Sequence, residues 1–372
     1  MVASARSYSW ARSSALALTL VLPLVSVARA DVVIAVAGPV TGPLAAPGSE
    51  IFNGAKQAAE DINAKGGING EKIVLSIQDD ACDPKQAVSV ANAIVAAGIK
   101  LVDGHFCSGS TMPASDLYNE SGVTAMTVSS NPKITERGYQ NIFRFGGRDD
   151  QQGPAGADFI LKKFAGKNVA LLSDKSTYGV GLVDGARAAL KAANADIAID
   201  DSINPGEKDY SAVVLKLKQA NVEAVYFGGY HTEAGLMARQ ALDSNYKLSI
   251  VGGDGLNTSE LGSIAGAAAE NVFFTFPPDA TKTAAGKEIA TRMKAKNLSA
   301  SGWTIYSYAI IEALAQGVAR AGDQDAAKVS EALRAKPVST VLGDITFDAK
   351  GDNTKPGYVI YHFVSGTPTE IE

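Results

Sequence analysis

Ser108, Ser129, Ser130, Tyr178, Tyr230 and Asp254 share one kind of position: each follows an apolar run that reads as a β-strand. Ser108 opens the small-residue stretch Ser108-Gly109-Ser110-Thr111 after the run at 99–102, and Ser129-Ser130 follow the run at 123–128. Tyr178 comes shortly after 168–173, Tyr230 after Phe227-Gly228-Gly229, and Asp254 after Gly252-Gly253. In an open α/β sheet the carboxyl ends of parallel strands share one edge, and ligands bind there. Hydroxyls and the unpaired N–H groups of a helix start can hold a carboxylate without a cationic side chain. Asp254 suits an ammonium, and the two tyrosines suit an apolar side chain. Together these groups form a set for a zwitterionic α-amino acid. Each also has a plain structural use. Ser108–Thr111 can cap a helix, Ser129-Ser130 can turn the chain before Pro132, the tyrosines can pack a rim, and Asp254-Gly255 can form a turn. The coincidence of all of them favours a ligand.

Catalytic and metal chemistry find little support. The three histidines, His105, His231 and His362, lie in no H-x-x-x-H spacing, and no C-x-x-C occurs, so no metal site is expected. No P-loop and no G-x-S-x-G elbow is present. The glycines at Gly179, Gly181 and Gly185 are one residue too widely spaced for a dinucleotide fingerprint and read as a helix start. Asp79, Asp80 and Asp83 cluster, but capping and solvent exposure account for them. No nucleophile–base pair is visible, so the expectation is a binding protein without cofactor, not an enzyme.

Composition agrees. The 372 residues are 46% hydrophobic and 20% charged, with a net charge of −5, long enough for two domains. The acidic balance and the lack of a basic run argue against nucleic-acid binding. Residues 1–30 read as a secretory signal peptide: Arg6 and Arg12, then a mostly apolar 13–27, then Ala28-Arg29-Ala30 as the cleavage site. The apolar run is shorter than a membrane span needs, and Pro23 interrupts it. Export makes Cys82 and Cys107, the only two cysteines, a candidate disulfide. Such a bridge closes a loop of about 25 residues, worth about 3 kcal/mol by loop entropy. Two free buried thiols remain the alternative.

The elements that position these groups alternate between strand and helix from Asp31 onward. The run at 32–37 is followed by a helix capped by Ser49 and running to about Lys65, with Ile51, Phe52, Ala55, Ala58, Ala59 and Ile62 on one face. A strand at 73–78 precedes a second helix, with Asp83 as its cap and Pro84 as its first residue. Strands at 168–173, 197–200, 224–227 and 248–251 then alternate with helices at 178–193, 210–219 and 232–244. A long helix at 303–321 and late strands at 345–347 and 358–363 break the rhythm. The reading is α/β, with two doubly wound parallel-sheet lobes and more than one crossing between them.

Dense stretches of the chain carry a family resemblance: FNGAKQAAEDINAKGGINGEK, DDACDPKQAVSVANAIV, GHFCSGSTMPASDLY, RGYQNIFR, DKSTYGVGL, GEKDYSAVV and VYFGGYHTEAG. From about 31 to 363 the chain resembles the periplasmic leucine/isoleucine/valine-binding proteins, the type I solute-binding components of branched-chain amino-acid ABC transporters. The resemblance implies two lobes joined by a three-crossover hinge, one holding 31–147 and 278–356, the other 148–277 and 357–372. It implies a monomer in the periplasm that closes on an amino acid and docks on the membrane subunits of an ABC permease. A different amino acid, a small carboxylate, or a role as sensor or chemoreceptor input are the alternatives. Carried over by position, Ser108 and the Ser130 hydroxyl hold the ligand carboxylate. The Ser129 carbonyl accepts the ammonium, and Tyr178 and Tyr230 line the pocket. The family has Ala-Ala-Thr before Ala-Pro where this chain has Ser129-Ser130 before Asn131-Pro132, one residue shorter. Asp254, followed by Gly255, replaces the usual Glu as ammonium partner, and Pro47 replaces a Tyr or Trp that packs on the ligand side chain. Cys82 and Cys107 match the family disulfide.

Overall fold

The computed structural model describes residues 1–7, 31–300 and 302–371. The cleavage site and most of the signal-peptide reading lie outside the described residues. No helix among those described is long and apolar enough to cross a membrane.

The first half begins with β1 (Val32–Gly38), α1 (Ala45–Ala64), β2 (Ile73–Asp79) and α2 (Pro84–Ala96). It continues with β3 (Leu101–Gly104), α3 (Ser108–Glu120), β4 (Thr124–Thr127) and β5 (Ile142–Arg144). The five strands form one parallel sheet in the order β2-β1-β3-β4-β5. Every residue of β3 and β4 is buried, as expected where helices cover both faces of a parallel sheet. Asp83 caps α2 as read from sequence: its carboxylate accepts from the N–H groups of Lys85 and Gln86. The start of α1 differs. The helix begins at Ala45, not after Ser49, and places Pro47 in its first turn. A proline is tolerated there because the first N–H groups of a helix have no intrahelical partner to lose.

The chain then enters a second sheet. After α4 (Asp149–Lys163) come β6 (Asn168–Ser173), α5 (Thr177–Ala192), β7 (Ile197–Ser202), α6 (Ser211–Gln219) and β8 (Val222–Gly228). They lead to α7 (His231–Asp243), β9 (Ser249–Gly252), α8 (Ser259–Ala265) and β10 (Val272–Phe276). Helices α9 (Ala284–Lys294), α10 (Trp303–Ala321) and α11 (Ala326–Ala335) follow, with the small hairpin β11 (Val338–Thr340) and β12 (Gly343–Ile345). The chain ends in β13 (Val359–Val364) and β14 (Thr367–Glu370). The second sheet runs β14-β13-β10-β9-β8-β6-β7. It is parallel except at one edge, where β13 pairs antiparallel with β10 and β14 with β13. Both sheets are thus doubly wound, with a short antiparallel addition to the second.

Two glycines permit close approaches near the cleft. Helices α1 and α10 pack so tightly that a Cβ on Gly54 would lie 2.0 Å from the Thr304 carbonyl oxygen. Gly104, at φ +141°, ends β3 where a Cβ would lie 2.3 Å from the Ala37 carbonyl oxygen. The chain turns there into the loop that carries Phe106, Cys107 and Ser108. Cys82 and Cys107 form a disulfide, with Cα atoms 5.5 Å apart, so the turn before α2 is tied covalently to that loop.

Candidate functional site

Of the eight binding residues expected from sequence, seven line one small cavity: Ser108, Ser129, Ser130, Tyr178, Tyr230, Asp254 and Gly255. Pro47 does not line it and is buried in the first turn of α1. Phe106, Val128 and Trp303 complete the wall. The cavity lies between the carboxyl ends of β3 and β4 in the first sheet and those of β6, β8 and β9 in the second.

The first sheet supplies neutral donors. Ser108 is the first residue of α3 and is buried. Its hydroxyl oxygen accepts from the Asn131 N–H at 3.3 Å, which leaves the O–H free to donate into the cavity. Ser129 is engaged on both sides. Its hydroxyl reaches the Phe106 carbonyl at 2.8 Å and the His105 carbonyl at 3.0 Å, and lies 2.6 Å from the Thr111 hydroxyl. Its carbonyl accepts from Arg144 Nη1 at 2.6 Å. That bond anchors the turn after β4 on a buried guanidinium and uses one of the two lone pairs of the carbonyl oxygen. The Ser130 carbonyl accepts from the Asp149 N–H at 2.9 Å, linking β4's loop to the first residue of α4.

The second sheet supplies carboxylates and phenols. Burial pushes the Asp254 carboxyl up to about 6, against hydrogen bonds from Tyr178, Gln152 and the Gly255 N–H. The Tyr178 hydroxyl in turn accepts from the Gly255 N–H at 3.0 Å, and the rings of Tyr178 and Tyr230 sit 5.2 Å apart. Asp149 was not expected from sequence. It is fully buried, and neither carboxylate oxygen has a hydrogen-bond partner among the described residues. Burial drives its carboxyl well above the usual range; the Asp254 charge adds to this, while Ser130 and Arg144 oppose it. Two buried carboxylates with so little compensation make a strong field for a cation.

The aromatic wall was only partly legible. Trp303 packs edge-on against Phe106 at 5.3 Å and against Phe276 at 5.0 Å between ring centroids. Phe106 and Trp303 therefore provide rings beside the cavity, whereas position 47 provides none. Asp149 could have been found by the rule that found the others, since it follows a strand. That strand, β5, is three residues long and does not stand out as a run. Trp303 was read only as a helix start.

His105 has a structural place. Its Nδ1 lies 2.6 Å from Asp80 and its Nε2 2.9 Å from the Tyr118 hydroxyl, all of it buried behind the Ser108 loop. No group of three His, Cys, Asp or Glu that could hold a metal occurs among the described residues.

A two-sheet frame with a polar, aromatic-walled cavity where strand ends meet is the architecture of a type I periplasmic binding protein. The sequence profile of the periplasmic binding protein family matches residues 31–367, and the chain belongs to that family. It is 44% identical over 355 residues to the Leu/Ile/Val-binding protein homolog 1 of Brucella abortus, covering 95% of this chain and 96% of that one. It is 45% identical over 353 residues to an amino acid binding protein of Pseudomonas aeruginosa, covering 94% of each. Among solved structures, the branched-chain amino acid transporter substrate binding protein of Streptococcus pneumoniae, in complex with isoleucine, superposes with a TM-score of 0.82. That protein is 26% identical, with 92% of this chain and 100% of that one covered.

Proposed function

We propose that this chain is the extracytoplasmic, non-enzymatic receptor of an ABC importer and encloses an α-amino acid, branched-chain or otherwise aliphatic, between two lobes. One lobe comprises 31–147 and 278–356, the other 148–277 and 357–372, and they close by hinge motion. The observation that carries this reading is the segregation of charge across one cavity. Ser108 and Ser130 offer neutral donors from one side, and Asp254 offers a buried carboxylate from the other, with the buried Asp149 carboxyl close enough behind the wall to interact with it. In this reading the ligand carboxylate meets the Ser108 hydroxyl and the Ser130 N–H and hydroxyl. The ammonium meets Asp254 and Asp149, and the side chain lies against Phe106, Tyr178, Tyr230 and Trp303. The names of the relatives support the ligand class, and their association with transport supports permease partners and a periplasmic location.

A thermal-shift panel on ligand-stripped protein tests the reading, using the proteinogenic amino acids, γ-aminobutyrate and amine-free aliphatic and aromatic acids. Leucine, isoleucine or valine at about 100 times its dissociation constant stabilises the protein by about 2.7 kcal/mol. Shifts confined to amine-free acids contradict the assignment of the two carboxylates.

A further inference from the structure

No cationic side chain lines the cavity, yet a fully buried guanidinium lies one peptide unit behind it. Arg144 ends β5 with its side chain 0% exposed. Its Nη1 donates to the Ser129 carbonyl at 2.6 Å, its Nη2 to the Thr135 hydroxyl at 2.8 Å and its Nε to Asp352 at 2.8 Å. All three nitrogens are thus engaged, and the guanidinium has one orientation available.

The Ser129 carbonyl and the Ser130 N–H belong to the same peptide unit. The carbonyl faces Arg144, while Ser130 lines the cavity and its N–H has no acceptor among the described residues. A charged donor on the carbonyl oxygen draws electron density through the amide and makes the N–H a stronger donor, as in any chain of hydrogen bonds that polarise one another. Asp352 is shared: its second oxygen also accepts from Arg148 Nη1 at 2.9 Å and from the Thr135 hydroxyl at 3.1 Å. Arg148 is itself paired with Asp150 at 2.7 Å and Glu136 at 2.8 Å, so the charge that acts on the Ser129–Ser130 peptide is that of Arg144, through its direct bond to the Ser129 carbonyl.

We propose that Arg144 is the positioning residue that makes the site select a carboxylate, acting on the ligand through the Ser129–Ser130 peptide without touching it. The inference rests on the amino-acid reading above and adds the source of the positive field. It also accounts for the engagement of the Ser129 carbonyl, the position expected from sequence to take the ammonium.

The test compares leucine with leucinamide, which keeps the ammonium and side chain and replaces the carboxylate by a neutral amide. Both are titrated calorimetrically into the ligand-stripped protein and two variants. The quantity read is the preference, Kd(leucinamide)/Kd(leucine). In Arg144→Gln the charge is gone, while Asp352 keeps its Arg148 partner, and the preference falls by about tenfold. In Asp352→Asn an acceptor for Nε remains but the counter-charge is gone, and the preference rises. A purely structural role weakens both ligands alike and leaves the preference unchanged in both variants, which overturns the proposal. If Arg144→Gln does not fold, Asp352→Asn decides alone: a rise supports the proposal, and an unchanged or lowered preference overturns it. Failure of the wild-type protein to bind leucine is a separate result and strikes the proposed function itself.

Discussion

The two halves of the cavity solve opposite problems. On the first sheet the groups that carry the ligand position are anchored from behind: Ser129 on both sides, Ser108 by the Asn131 N–H, and the turn by Arg144, while the Ser108 O–H and Ser130 N–H are left to donate. Beside the second sheet Asp149 is buried with no hydrogen bond to either carboxylate oxygen among the described residues and only Ser130 and Arg144 nearby to favour its charge, and Asp254 is held only by neutral donors. A buried neutral donor is cheap to hold in place, whereas a buried uncompensated carboxylate is costly unless a cation arrives. In the proposed reading the first half is therefore a preorganised cradle, and the second stores a charge imbalance that an ammonium relieves. That reading draws orientation from one side and most of the binding free energy from the other.

That contrast ranks the expected effects. Asp254→Ala removes the ammonium's main partner and should weaken leucine binding by about 3 kcal/mol, roughly a hundredfold, measured by calorimetry. A loss of less than about threefold merges the two halves and removes the contrast. Acid gives the next largest effect. The Asp254 carboxyl is raised to about 6 in the free protein, and an ammonium binds only its ionised form. Affinity should hold above neutral pH and fall as pH drops through about 6, by about tenfold at pH 5. The raised Asp149 carboxyl acts in the same direction. The smallest effect belongs to the cradle. Ser108→Ala removes one neutral donor of several and should cost about 1 kcal/mol, with little change in the pH profile. A Ser108→Ala loss as large as that of Asp254→Ala would reverse the assignment of roles.

The legibility of the sequence followed the same division. Polar residues at the ends of apolar runs of four to seven residues were visible, because β3, β4, β6, β8 and β9 each stand out from their turns. Asp149 was hidden behind the three-residue β5, and Trp303 behind a long helix whose apolar residues lie all around it. The start of α1 was misplaced because Ser49 is a good cap in isolation and Pro47 looks like a stop. The first turn of a helix suspends both rules. The engagement of the Ser129 carbonyl by Arg144 was beyond reach, since nothing in the spacing of residues 129 and 144 shows that one guanidinium joins β5, the loop after β4 and Asp352.

The most direct test of the account is a calorimetric comparison of leucine with 4-methylpentanoate, its amine-free counterpart, on the ligand-stripped wild-type protein. If the second half of the cavity exists to take an ammonium, leucine binds at least about a hundredfold more tightly, because the amine-free acid leaves both buried carboxylates unpaired. Equal affinity, or a preference for 4-methylpentanoate, would contradict it.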